Sequence, residues 1–253
     1  MSDMGVQPAA AAAPGMSQLQ RVTSIFPAPS KTFTEIKNGK TSWWLPWLIL
    51  GIVGYLFFAA VFTKVTMQTV IDNQVHLMSD KQQEQMSKMP PEQRDMSLKV
   101  QLYITEGIFF IGPLFLLLIA AVVSLVLWGT INFAFGGKAK FGAIFAMWFF
   151  AYLPSAIKSL LGIVAIYASN TPESFNIKNY APTNVGAFLP VTETNHAVYA
   201  LATSLDIVTI WCMILMSIGL ATVAGVKRSS GYIAVFGWWA IIVLISVGFA
   251  AIS

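Results

Sequence analysis

The run Phe141–Ala168, FGAIFAMWFFAYLPSAIKSLLGIVAIYA, contains a single charged residue, Lys158, in an otherwise apolar stretch. A helix needs roughly 20 mostly apolar residues to cross the hydrocarbon core of a bilayer, and this run is long enough. An ammonium group is unfavourable in hydrocarbon, so Lys158 must face something other than lipid. The stretch therefore predicts a membrane-spanning helix that turns one charge toward the inside of a bundle.

Composition places the whole chain in the same class. Of its 253 residues, 56% are hydrophobic and only 10% are charged, which does not suit a soluble domain. Five segments meet the length and apolarity of a span: about 43–63, 104–135, 141–168, 203–225 and 231–252. The alternating pattern of a membrane β-barrel is absent. We therefore predict an all-α membrane protein, a bundle of five transmembrane helices.

Two outer segments connect these spans. Residues 64–101 are polar but carry Met67, Ile71, Val75 and Met78 at near-helical spacing, with Pro90-Pro91 as the strong breaker. This pattern predicts an outer helical hairpin between spans one and two, whose apolar stripe either packs between its own arms or docks a partner. The outer loop 169–202 is long for a helix connection, and we expect it to cap the outer face.

The amino-terminal region divides into residues 1–25, expected to be a flexible cytoplasmic arm, and the start of a membrane domain over 26–253. A short interfacial helix from near Ser30, in a stretch that contains Phe33 and Ile36, would turn its aromatic residues toward lipid and Lys31 and Lys37 toward headgroups. An ordinary juxtamembrane linker is the alternative interpretation.

Basic residues in the short loops set the predicted orientation. Eight of them fall on one side of the five spans: Arg21, Lys31, Lys37, Lys40, Lys138, Lys140, Lys227 and Arg228. By the positive-inside rule this side is cytoplasmic, so the amino terminus lies inside and the carboxyl terminus outside a cytoplasmic (inner) membrane. At the entry to span one, Trp43, Trp44 and Trp47 fit an aromatic belt and are predicted interfacial anchors.

Three ionisable residues lie within or near the predicted spans: Lys158, Asp206 and Glu106. Helical projection places Lys158 on a face with Ser155 and Gly162, and small residues mark helix-facing surfaces in membrane bundles. We predict an intramembrane charge cluster in which Lys158 pairs with Asp206, Glu106 or both. The alternative is that the lysine side chain extends to the outer interface.

The chain offers little for catalysis. Cys212 is the single cysteine, and His76 and His196 lie far apart without the spacing of a zinc site. Catalytic patterns of hydrolases, metalloproteases and nucleotide-binding enzymes are absent. We expect no enzymatic activity, no metal, no cofactor and no nucleic-acid partner.

Several stretches together resemble a known family. They are Phe26-Pro27-Ala28-Pro29, the Trp-rich entry to span one, Met89-Pro90-Pro91-Glu92-Gln93-Arg94, Tyr152-Leu153-Pro154 with Lys158, and Leu205-Asp206-Ile207. In these features the chain resembles bacterial members of the Yip family, the Ypt-interacting membrane proteins. The resemblance implies five spans with a cytoplasmic amino terminus. It implies binding to prenylated small GTPases for eukaryotic relatives and partnership with membrane export systems for some bacterial ones. The long polar outer hairpin departs from the eukaryotic pattern and argues against GTPase binding here.

Two functions remain open. The first is a non-enzymatic accessory or scaffold protein that docks a partner membrane complex, such as an export or trafficking system, from within the lipid bilayer. The second is a small transporter or channel-like protein that uses the charge cluster, which would need a water-filled cavity at Lys158 and commonly broken helices.

Overall fold

The computed structural model describes residues 15–169 and 171–252, apart from the side chain of Asp80. Residues 1–14 of the predicted arm lie outside the described residues. Helices account for most of the described chain, in the order α1 (Gln18–Ser24), α2 (Pro29–Lys37), α3 (Trp44–Ala60), α4 (Met67–His76), α5 (Asp80–Ser87), α6 (Pro91–Phe110), α7 (Gly112–Gly129), α8 (Phe141–Tyr152), α9 (Ser155–Ala168), α10 (His196–Ser204), α11 (Ile207–Ala224) and α12 (Arg228–Ile252).

Five helical stretches are long and apolar enough to cross a membrane, and they confirm the predicted all-α class with five spans. They are Trp44–Val65, Gly112–Ala134, Phe141–Ala168, Ile207–Ala224 and Arg228–Ile252. Spans one and two each end in a short π-helical turn, and span three consists of α8 and α9.

Two spans are shorter at their beginnings than predicted. Span two starts at Gly112 rather than near residue 104, because the helix is interrupted at Ile111 and a new helix begins at Gly112 with Pro113 in its first turn. Span four starts at Ile207 rather than near residue 203, because Asp206 has extended backbone geometry and caps α11 with its side chain. The predicted boundaries differ there because hydropathy alone does not reveal a helix cap or a break between two helices.

The centre of the bundle is formed by α8 and α11. Most residues of α8 are buried, including the large side chains Met147, Phe149 and Phe150, and α11 is buried along most of its length. Around this pair pack α7, α9 and α12. Lipid tails are as apolar as leucine, so such helices associate through close packing, and α11 provides Gly219 and Ser217 for this purpose.

The amino-terminal helix α2 belongs to this core. It forms where the sequence predicted a short helix, but Phe33 and Ile36 are fully buried against the bundle, so the expectation that the aromatic Phe33 faces lipid is wrong. Gly219 makes room for the phenylalanine, since a Cβ there would lie 2.8 Å from Phe33 Cε1. The apolar face of α2 therefore contacts α8 and α11 instead of the acyl chains.

The preceding helix α1 is held in the same way. Ser17 and Gln20 form a reciprocal capping box, and Arg21 and Ile25 are buried. The Arg21 guanidinium lies 5.2 Å from the centre of the Phe150 ring. Residues 18–25, which were expected to belong to a flexible arm, thus form a packed helical segment.

Beyond span one the chain does not continue as one helix. Thr66 has φ 72°, which ends the π-helical turn Val61–Val65, and α4 begins directly afterwards. Met67 and Ile71 of the predicted apolar stripe are buried, and α4 packs against α6 and against the turn Pro172–Ser174. The buried Asn73 amide donates hydrogen bonds to the Pro172 and Phe175 carbonyls, both 3.0 Å long. The outer loop is therefore tied to α4.

Close packing of α11 on α12 yields a testable prediction. A Cβ on Gly231 would overlap the Ser217 carbonyl oxygen, whereas one on Gly237, in the same helix, would meet nothing within 4 Å. We expect Gly231→Ala to lower the free energy of unfolding in detergent by about 1–3 kcal/mol through overpacking. Gly237→Ala is the matched control and should change it by less than about 0.5 kcal/mol. Equal stability of the two variants would contradict the packing described here.

Candidate functional site

Lys158 makes an ion pair with one of the two predicted carboxylates. It lies on α9, just after the interruption at Leu153-Pro154 in span three, and its Nζ is 3.0 Å from Asp206 Oδ2. The Asp206 side chain is 3% exposed and that of Lys158 is 22% exposed. The ammonium group therefore points into the bundle, as the small-residue face predicted, and does not extend to the interface as the alternative required.

The Asp206 carboxylate is fixed by more than the lysine. Its Oδ1 accepts a hydrogen bond of 2.8 Å from the Thr209 backbone N–H, and its Oδ2 accepts one of 2.5 Å from the Thr183 hydroxyl. Burial disfavours the charged form, but these donors and Lys158 outweigh it and lower the pKa of Asp206 below its ordinary value. A negative charge also suits this position at the amino terminus of α11.

The outer loop supplies the remaining contacts of the pair. Lys158 Nζ lies 5.5 Å from the centre of the Tyr180 ring, and that ring packs on Phe57 of α3 with centroids 4.5 Å apart. Asn184 and Asp206 form an isolated antiparallel β-bridge, in which the Ile207 N–H donates to the Thr183 carbonyl at 3.0 Å. The loop thus folds over the ion pair and joins spans one, three and four.

A cavity of about 610 Å³ lies beside the pair. Its polar side chains come from spans one, three and four and from the outer loop, and they are Tyr55, Tyr152, Ser155, Lys158, Ser159, Tyr180, Thr209 and Cys212. Most of the remaining lining is apolar and comes from α3, α6 and α7, and it includes Gly51 and Gly54 of α3, which have no side chains. The arrangement is a mostly apolar chamber with one charged and several hydroxyl-bearing groups, which is the usual construction of a small-ligand site.

Glu106 takes no part in this site. It lies on α6, ahead of span two, and within the described residues it makes no ion pair and no side-chain hydrogen bond. The predicted cluster of three charges therefore reduces to the pair of Lys158 and Asp206. The helix break at Ile111 separates α6, and Glu106 with it, from the span to which the sequence had assigned this glutamate.

The three tryptophans predicted as anchors occupy different environments. Trp44 is 51% exposed on the outside of α3, which suits an interfacial anchor. Trp43 instead stacks on Phe149 with centroids 5.4 Å apart. Trp47 donates a hydrogen bond of 2.9 Å to the Pro113 carbonyl of α7. Two of the three therefore hold helices together.

Sequence reasoning missed Thr183 and Tyr180. Both lie in the outer loop, where no periodicity relates a residue to a face of the bundle. Asp206 itself carried a signal, since an aspartate directly before an apolar run is a typical helix cap. Its second role as the lysine's partner required the fold.

A double-mutant cycle tests the ion pair. Asp206→Asn retains a capping oxygen but leaves the Lys158 ammonium unpaired, so we expect a loss of about 2–4 kcal/mol in the free energy of unfolding. Lys158→Met should have a smaller effect, because Thr183 and Thr209 still satisfy the carboxylate. In the Lys158→Met background the Asp206→Asn loss should shrink, with a coupling energy of about 0.5–3 kcal/mol.

Glu106→Gln is the matched control for this cycle. It also replaces a carboxylate by an amide, but this carboxylate has no ion-pair partner among the described residues. It should change stability by less than about 0.5 kcal/mol. Additive effects of the two site variants would show that the pair contributes no interaction energy.

Comparison with known proteins gives one match. A family model described as the Yip1 domain matches residues 23–250, which includes four complete spans, all but the last two residues of the fifth span, the helices α4 to α6 and the ion pair. No curated protein and no solved structure matches the chain. The match confirms the family that the sequence motifs had predicted, and it extends over nearly the whole length of the protein. The chain belongs to the Yip1 domain family.

Proposed function

We propose that this multi-pass Yip1 domain protein is a non-enzymatic accessory or scaffold protein of the cytoplasmic membrane, and that it docks a partner membrane complex such as an export or trafficking system. The docking surface in this proposal is the outer face of α6. The absence of catalytic patterns from the sequence supports a non-enzymatic role.

The exposure of α6 is the observation that carries the proposal. None of its described side chains is buried, although it is one of the longest helices in the protein. Met96, Val100 and Tyr103 are 66%, 45% and 69% exposed. At 100° per residue these three side chains lie within about 60° of one another, so they form a single apolar stripe.

The opposite side of α6 is the one that contacts the protein. Leu102 and Phe109 are partly buried against the cluster that contains Met67 and Val70 of α4. Gln101 donates a hydrogen bond of 3.2 Å to Gln74 of α4. Contacts with α4 therefore cover one face of α6 and leave the stripe of Met96, Val100 and Tyr103 exposed. Exposed apolar stripes of this kind are common at protein interfaces.

The proposed orientation follows the basic residues, with the amino terminus cytoplasmic and the carboxyl terminus outside. It puts α6 on the outer side of the membrane. A small GTPase would approach from the other side, so we propose a membrane-protein partner instead.

Site-specific photo-crosslinking in native membranes tests the docking surface. A photoreactive residue at Met96 or Tyr103 should form an adduct with one defined membrane protein, because these side chains lie on the uncovered stripe. The matched control position is Arg94, which is exposed on the same helix about 160° from Met96. Adducts with lipid alone, or equal protein adducts from all three positions, would contradict the proposal.

A small transporter or channel-like protein is the second candidate, and two observations favour it. Span three is broken at Leu153-Pro154, beside the lysine, and the cavity of about 610 Å³ lies against the same side chain. If this candidate is right, the purified protein in vesicles should conduct ions or small solutes, and Lys158→Met should reduce the flux at least tenfold while Glu106→Gln leaves it unchanged. Vesicles without flux would remove this candidate.

A further inference from the structure

The end of the bundle away from the ion pair is basic and is assembled from three parts of the chain. The Lys138 backbone N–H donates a hydrogen bond of 3.2 Å to the Ala224 carbonyl, which joins the turn after span two to the end of span four. The ammonium of Lys37, at the end of α2, lies 3.6 Å from where a Cβ on Gly225 would be. These segments are distant in sequence, and the packing of α2 on α11 brings them together.

A cavity of about 720 Å³ opens between these segments. Its charged lining residues are Lys37, Lys138 and Lys140, and its described lining includes no aspartate or glutamate. Among the described ion pairs of the protein, none involves any of the three lysines. Three ammonium groups thus line one concave surface without a carboxylate to balance them, which raises the local concentration of anions.

The rest of the lining leaves the main chain accessible. Gly136 and Gly225 line the cavity with φ of 69° and 70°, a conformation that other residues rarely adopt. Gly142 and Ala143, in the first turn of α8, also line it, and the N-cap of that helix, Lys140, makes no side-chain capping bond. Backbone N–H groups at the start of a helix favour negative charge and would add to the lysines.

We propose that this cavity binds a phosphate-bearing anion, either the headgroup of an anionic phospholipid or a soluble phosphate compound. Lysine side chains bind phosphate as point charges, and basic pockets between membrane helices bind lipid phosphates. The proposal concerns the end of the bundle opposite the α6 surface and does not depend on the docking function.

Ligand binding to the purified full-length protein in neutral detergent tests the proposal. Two probes distinguish the sources: inorganic phosphate, and a short-chain phosphatidic acid compared with the phosphatidylcholine of equal chain length. The readouts are the shift in thermal unfolding and native mass spectrometry. We expect saturable binding of at least one phosphate probe and none of the zwitterionic lipid. Binding of inorganic phosphate identifies a soluble ligand class, and binding of phosphatidic acid alone identifies a headgroup.

Charge-matched variants locate the binding. The triple substitution Lys37→Gln, Lys138→Gln and Lys140→Gln should weaken it at least tenfold. The control triple, Lys81→Gln, Lys99→Gln and Lys178→Gln, removes the same charge from exposed side chains elsewhere and should leave it unchanged. Substituting the three cavity lysines with arginine should preserve binding, which keeps the test interpretable if the glutamine triple does not fold. Equal weakening by both glutamine triples, or no binding by the wild type, would overturn the proposal.

Discussion

The ion pair between Lys158 and Asp206 is the interaction that joins spans three and four to the loop between them. A lysine within an apolar span needs a partner that is itself held in place, because an unpaired charge in a low-dielectric region is unfavourable. Here the carboxylate is held by the Thr183 hydroxyl and by the first turn of α11. One aspartate therefore links span three to span four and fixes the loop between them, and Tyr180 of that loop then packs on span one.

The half of the bundle away from the ion pair is stabilised differently. Between membrane helices there is little hydrophobic driving force, so contact area and close approach decide how they associate. Gly219 and Gly231 allow α11 to contact α2, α8 and α12 with large side chains such as Met147 filling the space between them. The buried position of α2 follows from this packing, and it makes α2 part of the bundle rather than a helix on the membrane surface.

The two ends of the molecule consequently differ in chemistry. At one end the Asn73 side chain of α4 donates hydrogen bonds to the outer loop, and α6 has an exposed apolar stripe. At the other end α2 and two short turns surround a basic cavity. The chamber beside Lys158 lies between them, within the spans. A scaffold would use the exposed surfaces and a transporter the chamber, so the two candidate functions rely on different parts of the same fold.

The class of the protein, the number of its spans and the inward direction of Lys158 could be predicted from the amino-acid sequence, because apolar length and helical periodicity are local properties of the chain. The sequence also identified Asp206 as a candidate partner. The start of spans two and four, the exclusion of Glu106, and the burial of Phe33 and Ile36 were decided only by the tertiary structure. The span starts and the position of Glu106 depend on a helix cap or a helix break. The burial of Phe33 and Ile36 depends on neighbouring helices, which these side chains contact instead of lipid or water. The same is true of Thr183 and Tyr180, since a loop residue reaches a buried charge only when distant segments have packed together.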